Sequence, residues 1–411
     1  MNRIGSILAA LAVAAVCAVS GEGWGSDINP GDGTKLAAAV HEELLALIAA
    51  PAAEREALAV ELAKRRGNAA IEAWKRFRNH ELVALARACV VSDDWKLAHR
   101  GLVWCRKLGD AECVPLAWPL LSSSVARLRE AAALACLELW NPKVAKGVAG
   151  GKAKEGLAAL RAKEDDGAVA AALTALEQRL AGKLKPRELA SEITVECDDG
   201  LVWTPFLEGM DKLAAVAPGA KLVQNNAPGG GSALKLPVAS RFTGPMCGWP
   251  REEVAGVGLQ PFANPRQDGT VFHTGQDLGA CLDGAGYYAI ASGIVRFVHW
   301  GSDMGTLLVV EHHRAAKELV NAVYMHGGSK VFVEAGDKVA AGQLLGTQGL
   351  SFSIENGGHF AHLHFGLYPG PFSLTHNYGY KPASAGLNDW FDPAKVLPEW
   401  IAANPAAPTK R

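Results

Sequence analysis

Three absences narrow what this sequence can be. Its 411 residues carry 41 Lys and Arg against 42 Asp and Glu, so no basic excess exists to hold a phosphate backbone, and nucleic acid is not an expected partner. No CxxC pair occurs among the eight cysteines, which argues against a cysteine-ligated zinc site. The uncharged apolar run Ile7–Val19 is too short to span a bilayer comfortably, so no transmembrane span is expected in the mature chain.

The N-terminus has the pattern of an export signal. Arg3 supplies a positive charge, the apolar run Ile7–Val19 follows, and small residues at its end offer a cleavage site. We therefore predict that residues 1–20 are a secretory signal peptide, which places the protein in the periplasm or cell envelope, or outside the cell. Lipidation of Cys17 is the alternative, but Val16 stands where such sites usually have Gly or Ala.

From about residue 34 to 185 the chain is rich in strong helix formers, with apolar residues recurring at intervals of three and four. Three segments can be laid over one another: Trp95–Cys105, Val125–Cys136 and Gly167–Leu176. Their spacing of roughly 30–40 residues is typical of stacked helix pairs. The region resembles divergent HEAT-type repeats, and a plain helical bundle is the alternative.

Export makes disulfides possible. Four cysteines nevertheless lie among Ala and Leu and are expected to pack as free thiols: Cys89, Cys105, Cys113 and Cys136. Cys247 and Cys281 are candidates for a pair that the sequence does not decide.

After Lys185 the pattern changes to short runs of β-branched and aromatic residues separated by Gly and Asp. The Gly/Asn/Pro-rich stretch 225–232 is predicted to be a turn or linker. Strands are predicted at Ile193–Cys197, Leu201–Trp203, Gly293–Val298, Thr306–Glu311, Asn321–Met325, Lys338–Leu345 and His362–Leu367.

Three histidine motifs lie in this β region. They are His273 with Asp277, His326 after Tyr324, and the pair His362 and His364. Residues i and i+2 of a strand point to the same face, so the paired histidines project together while Leu363 and Phe365 face the core. Two adjacent imidazoles repel each other when protonated, and a shared metal relieves this because ligation requires the neutral form.

A catalytic zinc ion typically takes three protein ligands and a water molecule, whose pKa it lowers to about 7. His273, Asp277 and one histidine of the third motif would complete such a set. Two further histidines near the metal could move protons and stabilise the developing oxyanion.

The order and spacing of these motifs resemble the lysostaphin/LytM-type (M23) zinc metallopeptidases over about residues 236–400. The glycine-punctuated segment Val333–Gly346 is also similar to that family. The resemblance implies that His273, Asp277 and His364 bind Zn²⁺. It implies that His326 and His362 form the general acid/base and transition-state-stabilising pair, in an open groove across a small antiparallel sheet. It further implies a peptidoglycan substrate, cut in its cross-links or stem peptides.

The resulting fold class is a multidomain α plus β chain, in which a HEAT-like helical array precedes a mainly antiparallel peptidase domain. The predicted divisions are a signal peptide at 1–20, a linker at 21–33, helical repeats at 34–185, a β lead-in and linker at 186–235, the M23 peptidase domain at 236–400 and a tail at 401–411.

The expected function is an exported zinc-dependent endopeptidase acting on cell-wall peptidoglycan. One alternative is a non-catalytic wall-binding or regulatory protein whose helical repeats recruit a partner hydrolase. Another keeps the peptidase but directs it at a Gly-rich exported protein.

Overall fold

The structure is a computed structural model. It describes residues 80–144, 148, 151–188, 195–196, 202–203, 224–226, 238–250, 260–266, 269–279, 283–301, 304–315, 318–350, 354–356, 359, 361–372 and 379–403. The predicted signal peptide, the first linker, the helices expected before His80 and residues 404–411 of the predicted tail lie outside these residues.

The first part of the described chain is helical. Its α-helices are α1 (His80–Val90), α2 (Trp95–Leu108), α3 (Val114–Ala117), α4 (Ala126–Leu139), α5 (Gly151–Lys163) and α6 (Gly167–Leu180), and α7 (Pro393–Ala403) closes the described chain. No helix within the described ranges is long and apolar enough to cross a membrane.

Short polar turns set the helix ends. The Asp94 side chain accepts from the Lys96 N–H at the start of α2, and Gly109 ends that helix in the left-handed conformation with φ 67°. Asp166 caps α6 by accepting from the N–H groups of Ala168 and Val169. These caps satisfy backbone groups that the helices themselves leave unpaired.

The three similar segments fall in α2, α4 and α6, and α4 packs against both of the others. Their inner faces bury Trp104, Leu134 and Leu173 completely. The four helical-region cysteines are buried free thiols, as expected, and Cys247 is also a buried free thiol. Cys281 lies outside the described residues, and HEAT-like repeat character stays a prediction.

The C-terminal part is a large antiparallel sheet, as expected. The described strands are β1 (Arg187–Glu188), β2 (Val195–Glu196), β3 (Val202–Trp203), β4 (Gln224–Asn226), β5 (Pro265–Arg266), β6 (Val271–His273), β7 (Gly275–Leu278), β8 (Gly286–Tyr288), β9 (Gly293–Gly301), β10 (Gly305–Ala315), β11 (Glu318–Val331), β12 (Lys338–Val339), β13 (Leu344–Gln348), β14 (Leu363–Pro369) and β15 (Tyr380–Pro382).

Ten of these strands form one sheet, with the main order β12-β9-β10-β11-β13-β8. The long strand β11 also pairs with β14 and β1, while β14 pairs in turn with β7. One face of this sheet buries Tyr324, Leu363 and Phe365. The prediction that Leu363 and Phe365 face the core is therefore confirmed.

Two local predictions are wrong. Asn225 and Asn226, predicted to lie in a turn, form β4 against Val298 and Phe297 of β9. An edge strand offers unpaired N–H and C=O groups, and the hydrogen bonds made to them outweigh the low strand propensity of Asn. The predicted strand Lys338–Leu345 is broken into β12 and β13, because Gly342 adopts φ 79° and turns the chain between them.

One hydrophobic cluster contains residues of both the helical region and the sheet region. Tyr288, Phe332 and Leu344 of the sheet region are buried in the same cluster as the inner faces of α2, α4 and α6. The joining surface also contains a buried ion pair. Arg106 Nε donates to Glu138 Oε1 at 3.0 Å, and Arg106 Nη1 donates to the Gly284 carbonyl at 2.7 Å. The two regions therefore form one packed unit.

Replacing Glu138 with alanine should lower the free energy of unfolding by about 3–5 kcal/mol, because it leaves the Arg106 guanidinium buried without its counter-charge. Urea denaturation followed by circular dichroism measures this. The matched control is Glu318→Ala, which removes an exposed ion pair with Arg314 and should cost about 0–1 kcal/mol. Equal losses in the two variants would contradict the role given to the buried pair.

Glu130 should make stability depend on pH. Its carboxyl is buried, accepts from the Tyr288 hydroxyl at 2.5 Å, and burial raises its pKa from 4.5 to about 7. The pKa of Glu130 is higher in the folded state than in the unfolded state, so binding of a proton to Glu130 stabilises the fold. This stabilisation is complete below about pH 4.5 and is lost as the pH rises to about 7.

Glu130→Gln should therefore flatten the pH dependence of the free energy of unfolding between pH 4.5 and 7, measured by denaturation at several pH values. The same substitution at Glu399, an exposed glutamate of α7, is the matched control. An unaltered profile in Glu130→Gln would refute the assignment.

Candidate functional site

The pairing of β7 with β14 builds the first half of the site. In this antiparallel register His364 lies directly opposite Asp277, and Phe365 lies opposite Gln276. His273 ends β6, and after Thr274 the chain enters β7. Residues distant in sequence therefore meet at one point of the sheet.

The side chains of His273, Asp277 and His364 converge. His273 Nε2 lies 2.8 Å from His364 Nδ1 and 3.2 Å from Asp277 Oδ1, and His364 Nδ1 lies 3.3 Å from that oxygen. Zinc bonds of roughly 2.0–2.1 Å in a tetrahedron separate neighbouring ligand atoms by about 3.3 Å. The three atoms have close to the spacing of one face of such a tetrahedron.

Further contacts orient the three converging side chains. His273 Nδ1 lies 2.9 Å from the Pro261 carbonyl oxygen, which fixes the ring so that Nε2 points to the other two residues. Gly275 is required beside them: a Cβ there would come within 2.8 Å of His364 Nε2 and 2.6 Å of the Phe365 carbonyl oxygen. The glycine between His273 and Asp277 therefore allows β14 to approach closely.

His326 and His362 stand beside these three side chains. Their ring centroids are 4.4 Å apart, and His362 Nε2 lies 3.6 Å from Asp277 Oδ2. His326 has a left-handed backbone with φ 62°, held by its N–H donating to Met304 and its carbonyl accepting from Gly349. Such a backbone is strained for a non-glycine residue, and strain of this kind concentrates at functional sites.

Burial and mutual charge set the ionisation of the site. Burial lowers the pKa of His364 to about 4. Burial, reinforced by the neighbouring imidazoles of His362 and His359, holds the pKa of His326 well below its usual value. Burial alone would raise the pKa of Asp277, but the positive charge of His362 and hydrogen bonds from His273 and His364 hold it well below the usual range. An ionised carboxylate beside the neutral imidazole of His364 suits a metal ion, which requires deprotonated ligands.

All five residues predicted for the site are thus brought together, and within the described part of the chain the three predicted ligands form a cluster able to hold a metal ion. Two side chains of the site were missed by sequence reasoning. His359 has its ring 4.4 Å from that of His326, and Tyr380 has its ring 5.3 Å from that of His273. His359 lies three residues before His362 and could have been found by proximity, whereas nothing in the sequence links Tyr380 to His273.

A cavity of about 580 Å³ lies elsewhere, between the helices and the sheet. Arg129, Asp166 and Trp249 are among its lining residues, and none of the five predicted site residues is. It is therefore separate from the histidine cluster.

Comparison with known proteins agrees with the motifs. Residues 271–374 match the family model of Peptidase family M23. The resemblance inferred from the motifs is confirmed for this segment, which contains all five predicted site residues and supports a metallopeptidase. No curated protein matches the chain in sequence.

Two solved structures are similar to part of the chain. A zinc-containing peptidase from Vibrio cholerae is 26% identical over 30% of this chain and 36% of that chain, with a TM-score of 0.23. The catalytic domain of the prophage-encoded M23 protein EnpA from Enterococcus faecalis, solved as a mutant, is 26% identical over 31% of this chain and 92% of that chain, with a TM-score of 0.22. The alignment thus spans little more than a third of the first of these proteins.

His364→Ala should weaken zinc binding by more than about 100-fold, because loss of a ligand should exceed the 10–100-fold effect of outer-shell changes. Elemental analysis after gel filtration and competition with a chromogenic chelator measure it. His313→Ala, a histidine of β10 outside the cluster, should bind zinc like the unmodified chain. Retention of zinc by His364→Ala would rule out the assigned ligand set.

Proposed function

We propose that this protein is an exported zinc-dependent endopeptidase that hydrolyses peptide bonds of cell-wall peptidoglycan, in its cross-links or stem peptides. One observation carries the proposal. The ligand atoms of His273, Asp277 and His364 lie within 4.8 Å of one another, in a segment that matches the M23 peptidase family.

His273, Asp277 and His364 would hold the zinc ion as three protein ligands, which is the number typical of catalytic rather than structural sites. When bound, zinc polarises a carbonyl group and makes water a stronger nucleophile near neutral pH. The carboxylate of Asp277 keeps its charge at that pH, since its pKa lies well below the usual range. An imidazole that ligates zinc is neutral, so Asp277 would supply the negative charge of the ligand set.

His326 and His362 would move protons during the reaction. His326 is neutral near pH 7 because its pKa is held well below its usual value, so it can accept a proton. Its Nδ1 atom is buried and makes no hydrogen bond to another group in the described part of the chain. An unpaired buried polar atom of this kind is costly, and a catalytic role for the residue would account for it. His362 lies against the carboxylate of Asp277, and from this position its imidazole would donate to a developing oxyanion.

The substrate and location are supported by the same family match together with the export signal predicted at residues 1–20. A peptidoglycan peptidase must act outside the cytoplasm, and the sequence supplies a predicted route there. The non-catalytic wall-binding alternative shares this location but does not require a proton-moving pair beside a metal cluster. Its distinguishing prediction is that His326 is dispensable.

Incubating the zinc-loaded full chain with purified peptidoglycan of several peptide types should release new peptide termini, which mass spectrometry identifies together with the bond cut. His326→Ala should lower the rate by about 10²–10⁴-fold, because it removes a proton-transferring group. Removing zinc with a chelator should abolish cleavage, and adding zinc should restore it.

The matched control is His313→Ala, which should cleave normally. Equal cleavage by His326→Ala and the unmodified chain, or full activity without metal, would overturn the proposal. Binding of peptidoglycan by both proteins without cleavage would favour the wall-binding alternative. Cleavage of a Gly-rich protein but not of peptidoglycan would redirect the peptidase to another substrate.

A further inference from the structure

The carboxylate of Glu355 links the helical region to the sheet close to the histidine cluster. Lys107, in the last turn of α2, places its Nζ 2.5 Å from Glu355 Oε1 and 2.6 Å from Oε2. The same carboxylate accepts from the Ser329 N–H on β11 at 3.2 Å and from the Leu350 N–H beyond β13 at 3.1 Å. Both side chains of the ion pair are largely buried. Glu355 is therefore held by helix α2 and by the sheet at once.

Glu355 begins a short connection to the site. It lies in the 3₁₀ turn Ile354–Asn356, and Asn356 Nδ2 donates to the His359 carbonyl at 2.8 Å. The His359 ring is 4.4 Å from the His326 ring and 6.2 Å from the His362 ring. One ion pair, one turn and one hydrogen bond thus connect Lys107 to the imidazoles that the proposed function assigns to proton transfer.

This connection has little room to move. A Cβ at Gly305 would lie 2.7 Å from Asn356 Cα, and a Cβ at Gly349 would lie 2.2 Å from Asn356 Cβ. Asn356 is completely buried, and the Trp300 indole N–H donates to the Glu355 carbonyl at 3.1 Å. A tightly packed turn transmits a displacement of Glu355 to its neighbours instead of absorbing it.

Building on the proposed function, we propose that Lys107 is a positioning residue for the histidine cluster: through Glu355 and Asn356 it holds the His359 imidazole against His326. The helical region then acts as a structural part of the peptidase site. His359 is the exposed member of the cluster, and its ring lies against the ring of the buried His326.

Kinetics of the zinc-loaded full chain on a soluble peptidoglycan peptide provide the first test. Lys107→Met should lower kcat by about tenfold with little change in KM, because a misplaced catalytic group slows the reaction without loosening ground-state binding. Lys107→Arg should restore most of kcat, since it keeps the charge. In a His359→Ala background, Lys107→Met should have no further effect, because both changes act through the same contact.

Lys330→Met is the matched control. It also removes an ion pair between the sheet and the helices, that of Lys330 with Glu138, in which Glu355 takes no part. It should leave kcat unchanged. Equal loss of kcat in Lys107→Met and Lys330→Met, or independent effects of Lys107→Met and His359→Ala, would overturn the positioning role.

Amide hydrogen exchange provides a readout that does not depend on activity. Lys107→Met, but not Lys330→Met, should speed exchange of the Ser329 and Leu350 amides that Glu355 accepts from, in zinc-free and zinc-loaded protein alike. If the unmodified chain cleaves nothing, the proposed function fails, while selective exchange in Lys107→Met still supports the link to Glu355. Unchanged exchange in Lys107→Met would refute that link whatever the activity.

Discussion

The antiparallel pairing of β7 with β14 is the constraint on which the site depends. Because His364 faces Asp277 across this pair, the sheet itself delivers two of the three proposed ligands. A register shift of one residue would turn His364 into the core and bring Leu363 to the site, so burial of Leu363 and Phe365 fixes the histidine as well. The hydrophobic residues on one face of β14 thereby determine where His364 lies on its other face.

The strand β11 adds the second constraint. It pairs with β10, β13, β14 and β1, and its backbone is left-handed at His326, where φ is 62°. A non-glycine residue in this region costs of order 1–3 kcal/mol, and it persists only where the surroundings hold it. Here Met304 and Gly349 hold the backbone while His359 and His362 enclose the ring. The strained backbone turns the His326 imidazole towards the predicted ligands.

How much of this could be read from the sequence depends on the range of each interaction. The pair His362 and His364 and the pair His273 and Asp277 follow local spacing, so both were predicted, and the family motif joined them. The prediction of one strand over Lys338–Leu345 was wrong because a turn at a single glycine divides it. The prediction of a turn at Asn225 and Asn226 was wrong because these residues pair with a strand distant in sequence. The buried contact of Arg106 with Gly284 could not be foreseen, since two regions of ordinary composition gave no sign of sharing a core.

The shared core has a consequence for the order in which the molecule is made. The hydrogen bonds from Arg106 to Gly284 and from Lys107 to Glu355 span 178 and 248 residues. A ribosome completes the helices long before it reaches the strands, so the apolar face that later covers Tyr288 and Leu344 is first exposed to solvent. Contacts this distant in sequence also form slowly. Until the strands fold against the helices, the half-made chain therefore exposes apolar surface that is prone to aggregation.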